Sequence, residues 1–127
     1  MMKITMIRSS DLQNGQLVQL NTSNIVEALS SGELLGVAEN CRTINQQDTP
    51  ESPIQTLEIC EVVIDGPCQA TLSGSAPAAG GMIYASGDKI SITPNGERIG
   101  RIIPRGWSDL TAFADGESVT ILINGVR

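Results

Sequence analysis

The sequence has no histidine and very few aromatic residues. Its 127 residues include no His, one Trp, one Tyr and one Phe. Histidine is the side chain most often used as a general base near neutral pH and is the commonest metal ligand, so its absence argues against an enzyme and against a metal centre. Scarce aromatics also argue against a carbohydrate-binding module, because sugar sites present aromatic platforms. We therefore expect no catalytic residue, no cofactor and no metal.

The sequence also lacks a basic excess and a long apolar run. Lys and Arg total 8 against 14 Asp and Glu, which leaves a formal net charge of −6 at pH 7. Nucleic-acid affinity comes mainly from clustered Lys and Arg, so DNA and RNA are not expected partners. No apolar run approaches the roughly 20 residues of a membrane span, and the N-terminus lacks the apolar stretch of a signal peptide. We expect no membrane partner and synthesis in the cytoplasm.

Cysteine is scarce and odd in number. Cys41, Cys60 and Cys68 are not at a metal-ligand spacing. We interpret them as reduced thiols in the core. A Cys60–Cys68 disulfide across a hairpin is the alternative.

What the sequence does contain is one unit that occurs twice, 64 positions apart. A Gly, a Glu, an aliphatic residue and a second Gly recur in both copies, and no gap is needed. A turn glycine tolerates positive φ, and the second glycine lets two backbones approach closely, so both positions favour a small all-β fold. The matched segments are Leu17–Leu20 with Gly81–Tyr84, Val26–Ala28 with Ile90–Ile92, and Gly32–Ala38 with Gly96–Ile102.

The repeat and the composition together predict one all-β domain. Hydrophobic residues make up 40% of the chain, so the core must be built from aliphatic side chains, which suit closely spaced strands. We expect a small β-barrel or β-tulip made of two similar three-strand units. A hairpin is expected to join them, with a turn at Asp65–Pro67 between strands at Leu57–Ile64 and Cys68–Leu72.

The remaining segments complete this predicted domain. Residues 1–14 are expected to form an N-terminal arm or edge strand, and residues 15–127 the single β domain. Asn45–Pro53 is polar and carries two prolines, which predicts a surface loop too short to divide two domains. At most one short helical turn is expected, at Ser108–Ala114 with Ser108 as its cap.

Two segments are candidates for contact with other proteins. Lys3–Ile7 alternates polar and apolar residues, so it is expected either to add as an unpaired arm to the sheet edge of a neighbour or to form an edge strand of its own domain. Trp107, the only Trp, lies in the turn-like segment Pro104–Trp107. It is expected either to cap its own core or, with Arg105, to anchor a protein interface, where Trp and Arg are enriched.

A family resemblance lies in the second unit. Its segments Ser75–Tyr84, Asp88–Ile92 and Gly96–Ile103 resemble the centre of the head decoration proteins of lambda-type tailed phages. In that family a small-residue, Pro-containing segment precedes an apolar strand start, a polar turn, a short alternating strand and an aliphatic-Gly-aliphatic strand. The wider chain, roughly 17–124, is similar to a related group of phage capsid-stabilising proteins. It departs from them at the long polar loop and at an insertion over 105–116.

The resemblance implies a cement protein on the capsid exterior of the virion, made in the host cytoplasm. It would bind the major capsid protein on an expanded head, usually as homotrimers, and each trimer would bridge several coat subunits against the pressure of packaged DNA. The family's capsid-binding arm maps by position onto Met1–Gln13. The alternative is a small β-domain of a phage tail or baseplate. Candidate contact residues are Ile4, Met6, Ile7 and Arg8 in the arm, and Arg105 and Trp107 after the second unit.

Overall fold

The computed structural model describes residues 1–124, and these form nine β-strands. The all-β prediction is confirmed: the strands pair antiparallel in one curled, half-barrel sheet. The order in the sheet is β3-β2-β4-β5-β9-β8-β6-β7, with β1 paired to β5. The strands are β1 Met2–Ile7, β2 Leu17–Leu20, β3 Val26–Ala28, β4 Gly36–Gln46, β5 Gln55–Thr71, β6 Gly81–Ser86, β7 Lys89–Ser91, β8 Gly100–Ile102 and β9 Ser118–Ile123.

The predicted repeat is present and is larger than the three matched segments. The pairing order β3-β2-β4-β5 in the first unit is matched by β7-β6-β8-β9 in the second. Ser9 N–H donates to Val26 O at 2.8 Å, and 64 residues later Ser73 N–H donates to Ile90 O at 2.7 Å. The first unit therefore comprises β1 to β4 with the first half of β5, and the second comprises the second half of β5 with β6 to β9.

The joining hairpin was wrongly predicted, because β5 runs unbroken through Asp65–Pro67. The neighbours of β5 change at this point: β1 pairs with it up to Asp65, and β9 pairs with it from Gly66 onward. Leu72 N–H donates to Glu117 O, so strand alternation puts the missing N–H of Pro67 on the side of β5 away from β9. The Gly-Pro pair therefore fits inside a strand and does not have to turn the chain.

Two hydrophobic cores lie on opposite faces of β5. Adjacent strand residues point to opposite faces, and Val62 packs into one core while Val63 packs into the other. The first core fills the first unit, and the larger second core fills the second unit and takes in side chains from the first. The first core is formed by Leu12, Val18, Val26, Ala38, Cys60 and Val62. The second includes Leu17, Val37, Val63, Ile83, Ile90, Ile102, Phe113 and Ile121.

The predicted helical turn at Ser108–Ala114 does not form. Phe113 makes a backbone bridge with Ala76 instead, with N–H···O distances of 2.7 and 3.1 Å. Asp109 Oδ1 accepts a hydrogen bond from Thr111 N–H at 3.0 Å, a local bond that competes with helix formation. Pairing with Ala76 therefore holds Phe113 in a β-bridge, and the segment does not form a helical turn.

All three cysteines are free. The Cys60–Cys68 disulfide does not form, because both residues lie on β5, eight positions and so roughly 26 Å apart along an extended strand. Both are buried, and burial raises the pKa of the Cys60 thiol to about 11 and that of the Cys68 thiol to about 12. Cys41 is only half-buried.

Candidate functional site

The side chain of Trp107 lies outside the core. It is 96% exposed, and Leu110, three residues later, is 87% exposed. Both lie in the segment between β8 and β9, in residues 104–112, which we call the Trp107 loop. Of the two interpretations of this tryptophan, the core cap is therefore wrong.

Arg105 occupies the place that the tryptophan was expected to take. Its guanidinium lies 4.2 Å from the centroid of the Phe113 ring, a cation–π contact with a side chain of the second core. The same group donates to Thr111 O at 2.8 Å and to Glu117 Oε2 at 2.6 Å. Arg105 therefore holds the base of the loop against the second core. The side chain of Trp107 is left in solvent.

Glu117, the residue before β9, completes this set of contacts, which we call the Arg105 clasp. Its Oε1 accepts the N–H of Ala114 at 3.0 Å while its Oε2 accepts from Arg105. The Ala114 bond, followed by the Arg105 bond, holds the pKa of Glu117 below its ordinary value of 4.5. The loop is thus held by backbone and charged hydrogen bonds at its base, and its exposed apolar side chains need not contribute to its folding.

Strand β1 is an edge strand of its own domain, one of the two alternatives foreseen for it. It pairs with β5 along its whole length. Ile4 and Ile7 are 44% and 48% exposed, and Met6 is half-buried against the first core. Arg8 N–H bonds Glu58 O, so strand alternation turns the N–H and C=O groups of Lys3 and Thr5 away from β5. Within residues 1–124 these outward groups have no strand partner, which makes β1 an open, partly apolar sheet edge.

Arg8 serves the fold of the first unit and does not lie on a contact surface. It is 9% exposed, and its guanidinium makes five hydrogen bonds. The acceptors are Ile59 O at 2.9 Å, Ser9 O at 3.1 Å, Ser10 O at 3.2 Å, Arg42 O at 3.3 Å and Glu58 Oε2 at 2.7 Å. One buried guanidinium therefore links the end of β1 to β4 and β5. Arg8 was expected to contact the capsid, but its side chain is not available on the surface.

A projecting hairpin is a surface that sequence reasoning missed. β4 and β5 continue past the rest of the sheet as a two-stranded ribbon, whose last pairs run from Thr43–Glu58 to Gln46–Gln55. We call residues 43–58 the hairpin arm. The predicted loop at Asn45–Pro53 is its tip, but the first two residues of that segment belong to β4. The arm carries the exposed side chains of Ile44 and Ile54.

Three ion pairs join charged side chains within the first unit. Glu58 and Glu61 on β5 bind Arg8 and Arg42 at 2.7 and 2.5 Å. In residues 1–124 no three His, Cys, Asp or Glu side chains come together as a metal site, and no buried side-chain polar atom lacks a hydrogen-bond partner. The features of the described chain that call for a partner are therefore apolar surfaces and a strand edge.

No family model, curated protein or solved structure matches this chain. In the part of the chain that the structure describes, no helix is long and apolar enough to cross a membrane.

Proposed function

We propose that this protein is a structural decoration protein of a tailed-phage head. In this proposal it binds the major capsid protein from outside, as homotrimers, and stabilises the head against internal pressure. The observation that carries the proposal is the 96% exposure of Trp107 on a loop that is fastened at its base. Large exposed apolar groups on a folded domain mark sites that another surface covers.

The energetics favour Trp107 as an anchor. A buried aromatic side chain removes roughly 150–250 Å² from water, which at about 25 cal/mol/Å² is worth about 4–6 kcal/mol before the costs of association. Because the Arg105 clasp already orders the loop, little further entropy is lost when the indole is buried. A few such anchors, repeated around a trimer, give tight attachment through individually modest contacts.

A decoration protein must contact two kinds of neighbour, its own copies and the coat. This domain offers three separate surfaces for that purpose: the Trp107 loop, the hairpin arm and the open edge of β1. An open sheet edge accepts an extended segment from another protein through backbone hydrogen bonds. The resemblance of the second unit to lambda-type decoration proteins supports the same assignment.

The proposal is tested by co-sedimentation with expanded, undecorated heads of the source phage. We expect saturable binding at a fixed number of copies per coat subunit, and heads that resist heat better once decorated. Trp107→Ala should weaken binding by at least tenfold, whereas Leu20→Ala, which trims a 41% exposed leucine elsewhere on the surface, should not. Binding to purified tails and not to heads would favour the tail or baseplate alternative, and binding to neither would overturn the proposal.

A further inference from the structure

Two cysteines face each other at the base of the hairpin arm. The β4–β5 register pairs Glu39 with Glu61 and Arg42 with Ile59, so the bulge between these pairs places two residues, Asn40 and Cys41, opposite Cys60. Cys60 lies in the first core, and Cys41 packs against the same core.

The spacing and the access both suit a disulfide. Residues opposite each other on antiparallel strands have Cα atoms about 4.5–5.5 Å apart, and disulfides form at Cα separations of about 4.4–6.8 Å. Cys60 is fully buried, whereas Cys41 is half-buried and within reach of a small reagent. Cys68 lies in the other core, far along β5.

We propose that Cys41 and Cys60 form a cross-strand disulfide when the protein meets a disulfide oxidant of the glutathione type. The Cys41 thiolate attacks oxidised glutathione and releases one glutathione thiolate, leaving a mixed disulfide on Cys41. Cys60 then gives up its proton to solvent and attacks the Cys41 sulfur, and the second glutathione leaves as a thiol after taking up a proton. Two protein thiols are oxidised and one external disulfide is reduced.

The new bond would fasten the arm to the first unit. It closes a loop of about twenty residues that contains the whole arm, and such closure stabilises a fold mainly by restricting the unfolded chain. The timing rests on the proposed function, because the cytoplasm keeps thiols reduced while virion surfaces permit disulfides. The chemistry does not rest on it.

The reaction should be slow at neutral pH. Burial raises the pKa of both thiols, that of Cys60 to about 11, and the thiolate is the attacking species. Arg8 lowers both pKa values and Glu61 raises both, and these are the charged groups that act on the pair. The oxidation rate should therefore rise with pH through the alkaline range.

The test is oxidation of the folded protein with glutathione disulfide, followed by non-reducing peptide mapping. We expect a peptide that links Cys41 to Cys60 and a rise in Tm of roughly 5–10 °C that dithiothreitol reverses. Cys68→Ser should keep both effects, and Cys41→Ala should lose both.

Three results would overturn the proposal: a linked peptide that contains Cys68, a link between two chains, or no oxidation of the folded protein while the urea-unfolded protein oxidises. If Cys41→Ala folds poorly, blocking Cys41 by alkylation in the folded wild type gives the same comparison. Head binding by the reduced protein is measured separately, so failure of the disulfide and failure of the decoration role are distinguishable.

Discussion

Gly36 and Gly100 occupy the same position in the two units, and each lies against a backbone carbonyl oxygen where no side chain would fit. A Cβ on Gly36 would lie 2.3 Å from Val63 O, and a Cβ on Gly100 would lie 2.1 Å from Leu122 O. These glycines are the first residues of β4 and β8. Gly36 lies against β5, and Gly100 lies against β9. Close backbone approach is thus a requirement that the two units share.

Gly36→Ala and Gly100→Ala should each destabilise the protein by about 1–3 kcal/mol or more, because the added methyl group collides with backbone that cannot move without disturbing a strand pair. The matched control is Gly81→Ala, where the nearest atom to the new Cβ is Ile92 Cγ2 at 3.7 Å. Urea unfolding measures all three variants. Equal midpoints for the three would contradict the close-approach argument.

Arg8→Ala should destabilise the protein by about 3 kcal/mol, because it removes all five hydrogen bonds of a buried guanidinium. Arg8→Lys should recover little of this, since an ammonium cannot reach the same set of acceptors. Lys3→Ala, which removes an ion pair to Glu39 in which the two side chains are 47% and 32% exposed, should cost less than about 1 kcal/mol. Deleting residues 1–10 would also remove Arg8 and its five hydrogen bonds. The deletion should therefore unfold the first unit, which makes it a poor test of coat binding.

Trp107→Ala should leave the free energy of unfolding unchanged to within about 0.5 kcal/mol, because the side chain is in water. Phe113→Ala, in contrast, should cost about 3–5 kcal/mol, because that ring is buried in the second core. Trp107 is the only tryptophan, so fluorescence offers an independent check. Its emission should already be that of a water-exposed indole in the folded protein, and a large red shift on unfolding would contradict the structure.

Acid should loosen the base of the Trp107 loop. The pKa of Glu117 is lowered in the folded state, so the stabilisation it gives is fully present above its ordinary value of 4.5 and is lost as the pH falls through the lowered value. Glu117→Gln should therefore lower Tm near neutral pH, and the difference from wild type should shrink below pH 4.5. The pKa of Asp109 is also lowered, by its hydrogen bonds to Thr111, so Asp109→Asn is the comparison variant. A difference that does not change with pH would contradict the clasp.

Replacing residues 45–56 by Asn-Gly should shorten the hairpin arm and leave both units folded. Ile44 and Leu57 are paired, and an Asn-Gly turn closes such a pair. Because all the removed residues except the half-buried Ser52 are exposed, Tm should change by only a few degrees. Circular dichroism and thermal melting check the fold, and co-sedimentation with heads then asks whether the arm takes part in binding. Loss of the folded state would mean that the arm packs on the domain.

The repeat could be predicted because Gly36 and Gly100 lie where a Cβ would collide with backbone, so both units need glycine at this position. The continuity of β5 could not, since Asp65, Gly66 and Pro67 have every local mark of a turn. What overrides those marks is pairing with β1 on one side of the point and with β9 on the other, both distant in sequence. Tertiary pairing of this kind is invisible to a local reading of turn residues.

The exposure of Trp107 was foreseen only as one of two alternatives, for a similar reason. Which side chain of the segment packs on Phe113 depends on the position of Glu117, because that carboxylate draws the Arg105 guanidinium over the ring. From composition alone, the single tryptophan is expected to be buried. The ion pair between Arg105 and Glu117 instead places the arginine on Phe113, and the tryptophan stays exposed. The hairpin arm escaped prediction because its strands are too polar to show a buried face.

The unbroken course of β5 also determines how the domain would respond to a pull. A force applied to the hairpin arm enters β5 at one end and travels along a single stretch of backbone into the second unit. Because β1, β4 and β9 lie alongside that stretch, the pull would slide strands past one another and strain many hydrogen bonds together, instead of peeling them apart in turn. Tension on one unit would thus be resisted by both.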